Sequence, residues 1–467
     1  MAFSLKIRRW TGLFLLLLTV CSFLAQPAYA EGEVLSDITK DSVFAAAVNA
    51  DTLSRLSDKT RSTKWSFSKG TELTVSSEQD IIGLYILWDK TPAPYTLLAG
   101  GKSLTGGKNG FLHEYIALSG TVKSVTITAG AKNETVCDIY VFSGTGNTPD
   151  WVERWQPPLE KADMLLLPTH ADDEHLFFGG TMPYYAGELK KKVQVAYLTH
   201  HWGEWYRPHE LLNGLWKVGI TAYPVISEFQ DKYAGSLSAA QSIYKQEDWL
   251  SYEVTLLRRF KPDVVIGHDV DGEYGHGAHI LNTLVLKSAI ADAADPEKFP
   301  ISFEQYGIWD TPKTYLHLYK ENALVMDWDK PLEAFGGRTA LDMAKEGFAC
   351  HGSQTTYFKV EASGPYDCRK FGLFRTLVGP DTGLNDFFEN ILPPPPPEPE
   401  SNDAPSSTDI SETSTVSAPP AAKKPFSKGI GWAAAGLLVI VLFVTVALII
   451  QKRKYKARYA RSNHDKK

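Results

Sequence analysis

The sequence predicts an α/β protein: a Rossmann-like, mostly parallel sheet with helices on both faces, preceded by a smaller β-sandwich and followed by a stalk and one transmembrane helix. Three observations predict this. From about residue 160 to 355, apolar runs of strand length alternate with helical stretches; residues 31–150 carry short β-rich runs between glycine and polar turns; and residues 430–450 form one long apolar segment without charge. At 467 residues the chain is long enough to bury more than one core.

The elements follow in order. Residues 1–30 carry Lys6, Arg8 and Arg9, an apolar run from Gly12 to Val20, and the small-x-small ending Ala28-Tyr29-Ala30, the pattern of a signal peptide. An uncleaved anchor is the alternative, but the run is short for a membrane span. In residues 31–150, strands are expected at Ile81–Trp88, Ser124–Thr128 and Cys137–Phe142, spaced as in a β-sandwich. Trp65, Tyr85, Trp88 and Tyr95 there have two readings, stacking on sugars or packing in the core. Residues 151–392 form the α/β domain with a C-terminal extension. Its buried strands are expected at Met164–Pro168, Val193–Leu198 and Pro262–Gly267, and ligands in such sheets sit beyond the carboxyl ends of the strands. Residues 393–429, rich in Pro, Ser and Thr, cannot bury enough surface to fold and read as a stalk. The segment 430–450 is expected to span a membrane, and the tail 451–467, with eight Lys and Arg against one Asp, to be cytoplasmic. The body of the protein is then extracytoplasmic.

The formal charge of −6 hides a basic tail and a basic N-terminus, so the middle of the chain is acidic, which argues against nucleic acid as a partner. Only Cys137, Cys350 and Cys368 lie beyond residue 30, too few for a disulfide framework; whether Cys350 and Cys368 pair is open.

Two polar clusters fall at expected strand ends. THADDEH (169–175) follows the first strand, and DVDGEYGHGAH (269–279) follows the strand that ends at Gly267 and His268. Acidic residues at a helix start are explained by capping alone. His170 changes that, because a tight strand-to-helix turn aims residues i and i+3 at one point and offers an imidazole and a carboxylate, both zinc ligands. His276 and His279, three apart at a helix start, share a face and supply a further imidazole.

These residues carry a resemblance. THADDE with Gly179-Gly180 behind it, GEYGHGAH, Arg207-Pro208-His209-Glu210 before Val218-Gly219, and His351-Gly352-Ser353-Gln354 resemble the motifs of the LmbE-like (PIG-L-like) zinc N-deacetylases, over about residues 160–355. The resemblance implies Zn2+ held by His170, Asp173 and His279, with Asp172 as general base and His276 facing the substrate carbonyl. Three protein ligands leave a position for water, whose proton Asp172 would accept, while His276 would stabilise the oxyanion and serve the departing amine. Tyr274 either adds a second donor to the oxyanion or packs against its loop. Arg207 and Glu210 either hold substrate hydroxyls or pair with each other as an i,i+3 ion pair. His351 is expected to reach the site through the terminal motif. His200, His201, Trp202 and Trp205 either shape a sugar pocket or pack, and His175 is expected to face solvent or pack. Two departures stand out: Ala171 replaces a proline, and Gly277-Ala278 replaces Pro-Asp, which removes a carboxylate that orients His276. Asp269, Asp271 and Glu273 are the candidates to replace it. The expected activity is removal of an N-acyl group, acetyl foremost, from an amino sugar such as N-acetylglucosamine in an extracytoplasmic glycan. The alternatives are an amidase for a larger acyl group and an inactive surface carbohydrate-binding protein.

Overall fold

The computed structural model describes residues 33–392, so the expected signal peptide, stalk, transmembrane helix and tail lie outside the described residues. Among those residues, no helix is long and apolar enough to cross a membrane.

The N-terminal part is an antiparallel sheet of eight strands, β1 (Ser36–Asp37), β2 (Ser42–Ala46), β3 (Trp65–Phe67), β4 (Glu72–Trp88), β5 (Tyr95–Ala99), β6 (Lys102–Gly106), β7 (His113–Thr128) and β8 (Glu134–Ser143). The register of β4 on β7 shifts between Ser76 and Gly83, and β4 pairs β2 before that break and β8 after it. Such irregularities bend a strand. The period-2 pattern then sorts side chains. Leu73, Val75, Leu84, Ile86 and Trp88 of β4 share one core with Ile127 and Ile139, whereas Tyr85 and Leu87 point to a second cluster with Phe142 and Val152. Trp65, Tyr85, Trp88 and Tyr95 are all buried, so they pack the core and do not stack on sugars.

The second part is an α/β fold: β9 (Met164–Leu166), α1 (Asp173–Leu176), β10 (Val193–Tyr197), α2 (Arg207–Lys217), β11 (Val225–Ile226), α3 (Leu237–Ile243), α4 (Gln246–Phe260), β12 (Val264–Gly267), α5 (Gly277–Ala294), α6 (Pro300–Tyr306), β13 (Lys313–His317), β14 (Ala323–Val325), α7 (Ala340–Ala349) and β15 (Lys370–Thr376). The strand order is β11-β10-β9-β12-β13-β15-β14. The sheet is mixed: β11 to β13 are mutually parallel, and β15 runs antiparallel to both β13 and β14. Alternate residues face opposite layers. Met164 and Leu166 pack with Leu211, Leu215, Met343 and Phe348 of α2 and α7, while Leu165 packs with Leu257, Phe260 and Leu281 of α4 and α5. Each such buried side chain contributes about 1.5–3 kcal/mol. The chain runs from β9 outward through β10 to β11 and returns to β12 on the other side of β9. This reversal opens a crevice at the strand ends where both polar clusters begin.

The two parts meet through buried polar groups. His113 of β7 stacks on His209 of α2, with Nε2 2.7 Å from His209 Nδ1 and Nδ1 2.5 Å from Glu153 Oε2. Trp155 Nε1 donates to the same Glu153 oxygen (2.8 Å), and Leu112 N donates to Tyr223 Oη (3.1 Å). Cys137, Cys350 and Cys368 are free thiols, which closes the question of a Cys350–Cys368 bridge.

Candidate metal and catalytic site

The turn after β9 is pinned before it carries chemistry. Asn282 Nδ2 of α5 donates to Leu167 O (3.1 Å) and Thr169 Oγ1 (2.8 Å), and Thr169 N donates to His268 Nε2 (3.0 Å). Asp172 then adopts φ 121°, ψ −27°, a region costly for any residue with a Cβ, while Glu174 Oε2 accepts its N–H at 2.9 Å. That backbone turn separates the side chains of the adjacent Asp172 and Asp173. The carboxylate of Asp173 faces inward, where its Oδ2 accepts from His170 N (2.7 Å).

Three atoms converge there. His170 Nδ1 lies 3.1 Å from Asp173 Oδ2 and 3.1 Å from His279 Nε2, and His279 Nε2 lies 3.2 Å from Asp173 Oδ2. A tetrahedral ion with bonds of about 2.0–2.1 Å spaces its ligand atoms about 3.3 Å apart, so the triangle fits one such ion. The outward-facing ring nitrogens strengthen the fit. His279 Nδ1 meets Glu273 Oε2 at 2.8 Å, and His170 Nε2 lies 3.3 Å from Asp231 Oδ1. The Glu273 carboxylate holds the proton of His279 and turns its lone pair to the centre, and Asp231 lies behind the His170 ring. Ligand atoms of His170, His276 and His279, and of Asp173, His268 and His279, also come within 4.8 Å of one another. His268 Nε2 is already an acceptor for Thr169 N, so it is engaged elsewhere.

The electrostatics follow from this packing. Burial opposes charge throughout the site, yet His279 and His170 hold the Asp173 carboxyl well below its usual range, and Asp173 and Asp231 raise His170 to about 10. Asp172 goes the other way: burial pushes its carboxyl well above the ordinary range, Arg207 opposes this, and Asp173 and Glu174 add to it. Burial, helped by repulsion from His170 and His279, pushes His276 down to about 2. The His276 ring stands 4.8 Å from that of His170 and 4.7 Å from that of His279, and its Nδ1 is buried without a hydrogen-bond partner. Tyr274 lies edge-on to His276 and His279 at 5.7 Å from each and stacks on Phe358, yet it is 43% exposed. Its ring covers the cluster without being sealed in the loop.

Arg207 and Glu210 serve the frame. Arg207 is 3% exposed; it donates to Ala171 O and lies 3.5 Å from Asp172 Oδ2 and 3.5 Å from Glu210 Oε2. Glu210 accepts from Ser353 N (2.8 Å) and Ser353 Oγ (2.6 Å), tying α2 to the turn after α7. The ion-pair reading of these two residues therefore describes their contacts, although Arg207 also lines a cavity with Ala171, His200, His201 and Trp202. His351 lies apart from the triad, fully buried, with Nε2 3.3 Å from Glu174 Oε1, which is also 3.4 Å from His175 Nε2. His175 is likewise packed, not solvent-facing. Glu174, His175 and His351 can hold an ion by distance, but all three are sealed from solvent.

The structure explains the glycine at position 277. A Cβ on residue 277 would stand 1.9 Å from Ser236 O, and Gly277 N donates to Ala234 O (2.8 Å), so proline fits neither the space nor the hydrogen bond. Glu273 does not serve His276: its carboxylate binds His268, His279 and His317 (2.9, 2.8 and 2.7 Å). The carboxylate electrostatically coupled to His276 from outside the triad is Asp231, on the loop after β11. Asp231, His268 and His317 escaped the sequence reading. His268 and His317 close strands β12 and β13, so their position at the active edge was a usable signal; Asp231 had none.

No family model matches the chain. It is 30% identical over 191 residues to the 1D-myo-inositol 2-acetamido-2-deoxy-alpha-D-glucopyranoside deacetylase of Rhodococcus opacus, covering 34% of this chain and 63% of the relative. It is 27% identical over 180 residues to the enzyme of that name from Streptomyces scabiei, covering 32% and 54%. The relatives are deacetylases of an acetamido sugar. The chain spans between 54% and 63% of their length. Among solved structures, the N,N'-diacetylchitobiose deacetylase from Pyrococcus horikoshii is similar at 16% identity and TM-score 0.33, over 42% of this chain and 72% of that one, a likeness too slight to bear on function.

Proposed function

We propose that the chain is an LmbE-like, zinc-dependent N-deacetylase, built on a Rossmann-like arrangement of β9 to β13, that removes acetyl from an amino sugar of an extracytoplasmic glycan. The observation that carries this is the triangle of His170, Asp173 and His279, each imidazole backed by a carboxylate, with Asp172 turned beside it at positive φ. The deacetylase relatives support the same reaction. Bound there, Zn2+ supplies Lewis acidity, bringing the pKa of water toward neutrality and polarising an amide carbonyl. The chain's own groups do the rest. Asp172, held by Arg207 and raised by burial, accepts the water's proton and keeps it long enough to pass it to the departing nitrogen. A neutral His276 and the hydroxyl of Tyr274 donate to the oxyanion. This shifts the proton-delivery role from His276, expected from the sequence, to Asp172, because burial disfavours a charged His276.

The segment 430–450 anchors the enzyme with its catalytic part outside. Incubating the full-length protein with N-acetylglucosamine oligosaccharides and measuring free acetate tests the proposal. Release that needs metal and is lost in Asp172→Asn supports it; metal-independent release, or cleavage only of larger acyl amides, replaces it with another hydrolase.

A further inference from the structure

A groove of about 630 Å³ runs between the N-terminal sheet and the α/β part. One wall carries Lys64, Lys90 and Lys132 with Asp89, from turns of the N-terminal sheet; the other carries Trp202 and Trp205, from the loop between β10 and α2. The groove shares Trp202 and Pro208 with the cavity lined by Ala171, His201 and Arg207, and so leads outward from the catalytic turn. Two features distinguish it from ordinary surface. Trp202 and Trp205 remain 39% and 40% exposed, although indole is among the side chains that gain most from burial. The lining charge is also positive on a chain of formal charge −6. Lys64 pairs with Asp89 and stands 5.3 Å above the Trp205 ring, whereas Lys132 donates to Thr91 O at 2.8 Å and interacts with the Glu134 carboxylate without forming a close ion pair.

We propose that this groove is a subsite for the sugar units flanking the scissile acetamido sugar, and that it selects glycans bearing negative charge, carboxylate or phosphate. Indole faces stack on the apolar faces of the rings while the ammonium groups meet the anions. The assignment rests on the deacetylase reading for its placement, but its test reads binding as well as turnover.

The full-length protein would be titrated, by calorimetry, with N-acetylglucosamine, neutral chitohexaose, a hexasaccharide alternating N-acetylglucosamine with glucuronate, and a glycerol-phosphate oligomer bearing N-acetylglucosamine. The expected result is binding of an anionic oligomer about tenfold tighter than chitohexaose, an advantage that shrinks as salt rises; which oligomer binds better distinguishes carboxylate from phosphate. The Lys90→Ala/Lys132→Ala double variant should lose about tenfold for the anionic ligand only, and Trp205→Ala about tenfold for every hexamer. Equal affinity for charged and neutral hexamers, or affinities unmoved by these variants, overturns the proposal. Acetate release assayed on the same ligands separates the two readings. Turnover indifferent to length, charge and these variants removes the groove and leaves the deacetylase, whereas the expected binding pattern without acetate keeps the groove and removes the deacetylase.

Discussion

Asp173 and Glu174 are neighbours in sequence, and each organises two histidines, but into opposite kinds of cluster. Asp173 meets His170 and His279; Glu273 holds the far nitrogen of His279, Asp231 lies behind His170, and the near nitrogens converge under a partly exposed Tyr274. Glu174 meets His175 and His351, and no carboxylate stands behind either ring: all four of their ring nitrogens are buried without a hydrogen-bond partner. Burial pushes these two imidazoles down to about 4 and about 3, and keeps them neutral. Helices α2 and α7 close over them, with a Cβ on Gly214 falling 2.7 Å from His175 Nε2 and 2.9 Å from His351 Nε2. The same side-chain types therefore make a metal-ready centre or a packed contact, according to what orients them and whether solvent can enter.

Mutations sharpen that contrast. Asp173→Asn or His279→Ala should abolish stoichiometric metal binding and cut acetate release by about three orders of magnitude, seen in paired metal analysis and kinetics. Asp172→Asn should keep the metal and lose about 10²–10⁴ in kcat, because only the proton acceptor is gone. Glu273→Gln, which touches no substrate, should weaken metal affinity by about 10–100-fold through the loosened His279, measured by competition with a chelator. On the other side, Gly214→Ala should lower stability by about 1–3 kcal/mol in denaturant melts, yet leave turnover per folded molecule within a few-fold. If Gly214→Ala instead removes metal and activity at unchanged stability, the sealed cluster is the working one.

A further effect concerns the join between the two parts. Burial raises Glu153 to about 8 from an ordinary 4.5, so the stability its protonated form contributes is full below pH 4.5 and is lost as pH rises through about 8. His113 and His209, held well below 6.5 by burial, have the opposite dependence, with stability full above pH 6.5 and lost on acidification. Glu153→Gln deletes the first contribution. Melting temperatures of the wild type should fall relative to the variant between pH 4.5 and pH 8; a constant offset contradicts this.

Much of this arrangement was legible in the sequence, for a physical reason. Buried parallel strands are continuous apolar runs, so Met164–Pro168 and Val193–Leu198 announced β9 and β10, and dense polar residues immediately after such runs have nowhere to lie except the strand ends. The signals failed where position depends on long-range packing. Asp231 comes from a loop without a motif, Glu273 turns toward His268, His279 and His317 because two strand-end imidazoles and one from α5 surround it, and His351 is buried by the α2–α7 crossing. The mixed sheet was hidden because β15 lies beyond the alternating pattern. The aromatics of the N-terminal sheet were ambiguous because a tryptophan suits either a core or a sugar.

The most direct test of the central claim is acetate release from N-acetylglucosamine oligosaccharides by the full-length protein, stripped of metal and reloaded with Zn2+ in small steps. With the His170, Asp173 and His279 triad as the working site, activity should rise linearly and level off at about one equivalent per chain. Activity that appears only on loading a second equivalent, or that does not respond to metal at all, contradicts the account.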